Sequence, residues 1–209
     1  MDKSSTSIKL KKIIEKDIEN KKDIKILEFG VNFGDSTKFF LDICEKNNGN
    51  LISIDTEECR SKINSTKWKF IKTRDDNFEK IKKIIDNEKF DIIFLDTEHT
   101  PKHIEKIFYY YYKYLKIDGY FLIDDICWLP YLKGNYRNNE WIEVNNKKSF
   151  ELLMMILNQN LKNIELDLCM DYSGMAKIKK KREELNYPIK LNERDKNLKQ
   201  RIKKFLNSF

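Results

Sequence analysis

Residues 25–37 read Lys25-Ile26-Leu27-Glu28-Phe29-Gly30-Val31-Asn32-Phe33-Gly34-Asp35-Ser36-Thr37. A short apolar run closed by a glycine reads as a strand, and the residues after the second glycine open a helix. The chain has only 6 glycines in 209 residues. Two of them in one turn mark a place where backbone must approach a ligand closely and then open a helix, although a tight strand-to-helix turn with no ligand would look similar. The turn lacks the three glycines of Gly-x-Gly-x-x-Gly and the Gly-Lys-Ser/Thr end of a phosphate loop, so dinucleotides and nucleoside triphosphates fit poorly.

Outward from this turn the chain alternates. Helical spacing over Ile8–Ile18 precedes it, and a helix over Ser36–Glu45 follows. Then come strand Leu51–Asp55, helix Glu58–Ser65, strand Lys69–Lys72, helix Asn77–Asn87, strand Asp91–Asp96, a long helix Pro101–Lys116 and strand Tyr120–Asp124. The stretch Ile126–Asn145, with Pro130, Gly134 and several Asn, reads as an insertion or lid. A helix over Lys148–Asn158 leads to Asn163–Met170 and Met175–Lys180, a hairpin joined at Asp171-Tyr172-Ser173-Gly174. A charged amphipathic helix over Asn192–Phe209 ends the chain. Strands alternating with helices predict an α/β fold whose parallel sheet has right-handed crossovers, with the hairpin adding an antiparallel edge.

Composition narrows the function. Hydrophobic residues make up 40% of the chain and aromatics 12%, enough for a real core despite 36% charged residues. No apolar run approaches the roughly 18 residues of a spanning helix, and no apolar signal region follows Met1, so an intracellular, cytoplasmic protein is expected. The cysteines Cys44, Cys59, Cys127 and Cys169 are widely spaced and read as reduced packing groups. Two histidines, His99 and His103, leave little for a zinc site. The net charge of +7 is concentrated beyond residue 176, where 12 Lys/Arg stand against 4 Asp/Glu; the preceding residues carry 29 against 30. Only that tail could draw the protein to nucleic acid.

Ligands of an open α/β sheet collect outside the carboxyl ends of its strands. Those ends here carry Glu28 before Gly30, Asp55, Arg74-Asp75-Asp76, Asp96-Thr97-Glu98-His99 and Asp124-Asp125. The acid before the glycine and the acid closing the second strand suit a ligand with an amino group and a ribose. Asp96, Asp124 and Asp125 end neighbouring strands, so they could reach one ion, and three carboxylates with waters suit Mg²⁺. Against this, adjacent aspartates point to opposite faces if the strand continues, and one of them could merely cap a turn. His99 precedes Thr100-Pro101, a helix cap and first turn, and so lies in a loop. His103 reads as a surface histidine of the helix, and Phe108–Tyr112 as helix packing.

These residues resemble the class I S-adenosylmethionine-dependent methyltransferases. The likeness runs through Leu27-Glu28-Phe29-Gly30 with Gly34 and Ser36-Thr37, Ile54-Asp55, Asp96-x-x-His99, Leu115-Lys116-x-x-Gly119, Asp124-Asp125-Ile126-Cys127-Trp128 and Ser173-Gly174-Met175, covering residues 24–180. It implies a Rossmann-like fold of seven mostly parallel strands, an antiparallel edge hairpin and helices on both faces. The division it implies is an N-terminal helical extension over 1–23, the methyltransferase domain over 24–180 and a basic tail over 181–209. S-adenosyl-L-methionine would be held by Glu28, Gly30, Gly34, Ser36, Asp55, Asp75 and Asp96. Asp-x-x-His and Asp-Asp-x-x-Trp are most similar to metal-dependent O-methyltransferases, which implies Mg²⁺ on Asp96, Asp124 and Asp125 with His99 as general base. The sequence departs from the pattern at Asn32, where a glycine is usual, and at Thr73-Arg74-Asp75-Asp76 after the third strand.

The expected function is methyl transfer to a hydroxyl of a sugar or other small molecule. A nucleic-acid enzyme using the basic tail is the alternative, but no Asn/Asp-Pro-Pro-aromatic or Pro-Cys motif is present. A ribose 2′-O enzyme needs neither motif and stays open, as does a catalytically silent binding module.

Overall fold

In a computed structural model of the chain the described residues are 5–59, 61, 63–128 and 140–189. They contain α1 (Ser5–Ile13), α2 (Glu15–Ile18), β1 (Lys25–Phe29), α3 (Asp35–Asn47), β2 (Asn50–Asp55), β3 (Trp68–Lys72) and α4 (Phe78–Ile85). These are followed by β4 (Phe90–Leu95), α5 (Pro101–Tyr111), β5 (Leu115–Asp124), α6 (Glu140–Gln159), β6 (Ile164–Cys169) and β7 (Met175–Lys180). The seven strands form one sheet in the order β3-β2-β1-β4-β5-β7-β6. The first five are parallel, and β7 runs antiparallel to both β5 and β6. This is the parallel sheet with an antiparallel edge hairpin that the alternation predicted, in the Rossmann-like form that the resemblance implied.

Alternate residues of the central strands feed two cores, as the period-two geometry of a strand requires. Leu27, Ile93, Phe121 and Ile123 face α4, α5 and α6, whose Ile81, Ile104, Phe108, Leu152 and Ile156 cover them. Ile26, Ile92, Phe94 and Leu122 face α1 and α3 through Leu10, Ile13, Phe40, Ile43 and Cys44. All six residues of β4 are buried, as a strand covered on both faces must be. The N-terminal helices are therefore part of the second core, with Leu10, Ile14 and Ile18 no more than 1% exposed. No helix among the described residues is long and apolar enough to cross a membrane. All four cysteines are free thiols. Burial pushes Cys44 up to about 12, as befits a packing group.

The structure corrects several boundaries. No helix forms among the described residues of 58–65. Serines there bond to neighbouring elements instead, Ser61 Oγ to the Phe33 carbonyl at 2.6 Å and Ser65 Oγ to Glu45 Oε1 at 2.5 Å. Such side chains compete with helical backbone bonding. The helix expected to reach Lys116 ends at Tyr111, a 3₁₀ turn covers Tyr112–Tyr114, and β5 begins five residues earlier than Tyr120. Lys180, fully buried, accounts for this ending: its Nζ donates to the carbonyls of Tyr112 at 3.1 Å and Leu115 at 2.8 Å. Helix α6 begins at Glu140, so residues 140–145 of the expected lid are helical; 129–139 and the expected helix Asn192–Phe209 lie outside the described residues.

Candidate active site

The turn after β1 is built around Gly30 and Gly34. Gly30 has φ +92°, and a Cβ there would sit 1.9 Å from the Asp96 carbonyl oxygen, because the ends of β1 and β4 close on one another. Gly34, at φ +78°, meets Cys59 and Ile63 where a Cβ would project. Asn32 adopts φ +45°. It stands where the resemblance expects glycine, and asparagine is among the few side chains that tolerate this region.

Under the turn lies Glu28, with no exposed surface. Its carboxyl accepts from Ser36 Oγ at 2.6 Å, Thr37 Oγ1 at 2.8 Å and Ser53 Oγ at 2.5 Å, joining β1 to the start of α3 and to β2. Burial pushes Glu28 from its ordinary 4.5 to about 7, against the pull of the three hydroxyls. Ser36 is itself 5% exposed. Glu28 and Ser36, both expected to hold the cofactor, are thus bonded to each other beneath the turn.

Above it is a cleft of about 360 Å³ lined by Gly30, Asp55, Arg74, Asp75, Asp96 and Glu98 among others. Asp55 Oδ2 accepts from the amides of Val31 at 2.7 Å and Asn32 at 3.2 Å, and Oδ1 from that of Glu57 at 3.1 Å. Burial opposes its ionisation, but these amides outweigh burial and hold Asp55 below the usual carboxylate range. Asp75 is 6% exposed and accepts from Thr97 Oγ1 at 2.6 Å, while His103 Nε2 lies 2.7 Å away. His103, read from the sequence as a surface residue, is 7% exposed and raised above its ordinary value chiefly by the Asp75 bond, against burial.

At the ends of β4 and β5 the acids and His99 converge. His99 Nε2 is 3.4 Å from Asp125 Oδ2 and 3.6 Å from Asp96 Oδ1. Burial, with the charges of Asp124 and Asp125, pushes Asp96 well above the carboxylate range. The strand stops at Asp124, and Asp125 turns at φ +59°, its amide bonded to the Gly174 carbonyl at 3.0 Å. This turn takes the two aspartates out of strict alternation, so Asp125 joins His99 while Asp124 points inward.

Asp124 is only 2% exposed. Its Oδ1 accepts from the Lys9 ammonium of α1 and, at 2.9 Å, from the Asp125 amide. Lys9 Nζ also donates to Ser173 Oγ at 2.6 Å. Burial pushes Asp124 up, opposed by Lys9. For one ion to be held by all three carboxylates, each must offer an oxygen to one point, and Lys9 already stands on Asp124. Among the described residues no group of three or more His, Cys, Asp or Glu is placed to hold a metal ion. The three-carboxylate Mg²⁺ set of Asp96, Asp124 and Asp125 expected from the sequence does not fit this arrangement, because Asp124 is already paired with Lys9. Lys9 gave no motif signal, since it is one lysine in a lysine-rich amphipathic helix whose contact is made 115 residues away.

Residues 27–126 match a family described as a methyltransferase domain. The match and the sheet order agree with the fold of class I S-adenosylmethionine-dependent methyltransferases. Solved structures share the fold. The MycE methyltransferase of the mycinamycin biosynthetic pathway, in complex with Mg, SAH and mycinamycin VI, superposes with a TM-score of 0.59 at 17% identity, covering 94% of this chain and 53% of that one. The chain thus spans about half the length of MycE. The SAH-bound Podospora anserina methyltransferase PaMTH1 gives 0.57 at 16% identity, covering 76% of this chain and 72% of that one. A Staphylococcus aureus protein provisionally named a caffeoyl-CoA O-methyltransferase gives 0.58 at 18%, covering 86% and 85%. No curated protein matches the sequence.

Proposed function

We propose that the protein is an S-adenosylmethionine-dependent O-methyltransferase acting on a hydroxyl of a sugar or other small molecule. The observation that carries this reading is the His99 Nε2 facing both Asp125 and Asp96, the latter of which lines the cleft. The residues suit the cofactor: Asp55, kept ionised by backbone amides, can accept from ribose hydroxyls, and the Gly30 turn brings bare backbone to the cleft. Asp75 and Asp96 line the same space, Gly34 opens α3, and Glu28 and Ser36 act from beneath by holding the turn in shape. The cofactor supplies an electrophilic sulfonium methyl.

His99 takes the proton of the acceptor hydroxyl as its oxygen bonds to the methyl carbon and the carbon–sulfur bond breaks. Asp96 and Asp125, both facing Nε2, orient the imidazole, and the Asp125 carboxylate offsets the positive charge it gains. No step is assigned to Mg²⁺, because Lys9 engages Asp124. The MycE complex with SAH and mycinamycin VI supports a small-molecule acceptor. The test is isothermal calorimetry with S-adenosylhomocysteine followed by transfer assays against a panel of sugars, phenols and RNA. Saturable cofactor binding with transfer to small hydroxyls is expected. No binding would make the chain a silent module, and transfer to RNA alone would replace the small-molecule acceptor.

A further inference from the structure

Lys9 is fully buried, its side chain 1% exposed beside an Asp124 side chain at 3%. Burying an ammonium costs several kcal/mol unless a charge partner and hydrogen bonds compensate it. Both are present here, in Asp124 Oδ1 and Ser173 Oγ. The helix that delivers Lys9 is held in place: Leu10, Ile13 and Ile14 sit in the core, Lys12 pairs with Asp171, and Asp17 of α2 pairs with Lys177 of β7 at 2.7 Å. The cation therefore cannot leave without unpacking α1. It sits where three acids meet at the ends of β4 and β5, and its charge acts on Asp96 as well as on Asp124.

We propose that the Lys9 ammonium is the built-in cation of this acid cluster, so that Asp96 and Asp125 hold His99 in place without a divalent ion. Lys9 is a positioning residue: it neutralises Asp124, leaving Asp96 and Asp125 to the imidazole. The inference rests on the methyltransferase reading of the site. It differs from a plain structural ion pair in one respect, that removing Lys9 should create a demand for an external cation.

The experiment is thermal denaturation of the full chain titrated with MgCl₂ or EDTA, alongside calorimetry with S-adenosylhomocysteine. A real site filled to about 100 times its Kd would raise the melting temperature by roughly 5–10 °C. The wild type is expected to show no saturable shift and the same cofactor affinity in EDTA. Lys9→Met is expected to melt lower and to gain a saturable Mg²⁺-dependent rise that Asp125→Ala removes. A saturable rise in the wild type, lost in Asp125→Ala, overturns the proposal; so does a folded Lys9→Met that ignores Mg²⁺. Should Lys9→Met not fold, the Lys9→Met/Asp124→Asn pair, with neither buried charge, is expected to fold and to bind the cofactor within about twofold of wild type. Its failure to fold would mean that Lys9 serves packing alone. Wild type that binds no S-adenosylhomocysteine defeats the methyltransferase reading separately, since the Mg²⁺ response is read without cofactor.

Discussion

The His99 imidazole, four residues past the end of β4, stands 3.4 Å from the Asp125 carboxylate, one residue past the end of the neighbouring strand β5. As a general base at this position it should contribute about 10²- to 10⁴-fold to the rate. His99→Ala is expected to lower kcat by that factor and leave S-adenosylhomocysteine affinity nearly unchanged. Steady-state kinetics with calorimetry check this, and a variant with wild-type kcat would remove His99 from the mechanism.

Asp55 carries the ribose assignment. Asp55→Ala should weaken cofactor binding by about 10- to 100-fold, the effect of losing charge-assisted hydrogen bonds worth roughly 1.5–3 kcal/mol each. It should also lower the melting temperature, because the amides of Val31 and Glu57 lose their acceptor. Asp55→Asn keeps an acceptor and should fall between the two. Equal affinity in all three, with the fold intact by circular dichroism, would move the ribose elsewhere.

Glu28 predicts a pH dependence of stability. Its value of about 7 in the folded chain exceeds the ordinary 4.5. Between those values the folded protein keeps a proton that the unfolded chain releases. Its contribution is complete below 4.5 and is lost as the pH rises through about 7, to the extent of about 3 kcal/mol. Glu28→Gln, neutral at every pH, should flatten that part of the curve. Urea denaturation between about pH 5 and 8 measures it, and an unchanged slope in the variant would assign the dependence to another group, such as the buried His103–Asp75 pair.

The basic segment should be dispensable for chemistry. Deleting residues 190–209 is expected to leave cofactor affinity and small-molecule transfer within about threefold of wild type, since the site lies in the near-neutral body. If the deletion instead abolished RNA binding whose affinity falls steeply with salt, the nucleic-acid reading would gain its electrostatic support.

The strands and the first turn were legible because their signals are local. An apolar run ending in glycine and acids at successive strand ends depend on residues close in sequence, and a parallel sheet with right-handed crossovers follows from the alternation. Gly30, Asp55 and Asp96, which line the cleft, could therefore be placed at the strand ends from the chain alone. The segment after Asp55 could not be read, because apolar residues such as Ile63 at helical spacing are equally served by packing against Gly34. Nor could the burial of His103, which depends on Asp75 lying across from it.

What the sequence by itself determined is the layered architecture and the collection of acids at one edge of the sheet. Only the tertiary structure decided how those acids divide: Glu28 to the hydroxyls beneath the turn, Asp75 to His103, Asp96 and Asp125 to His99, and Asp124 to Lys9. The reason is that a carboxylate's role follows from which donor reaches it and how much water is excluded. For Asp124 that donor comes from a helix 115 residues earlier in the chain, placed by the packing of Leu10 and Ile13. No spacing within the sequence encodes that distance.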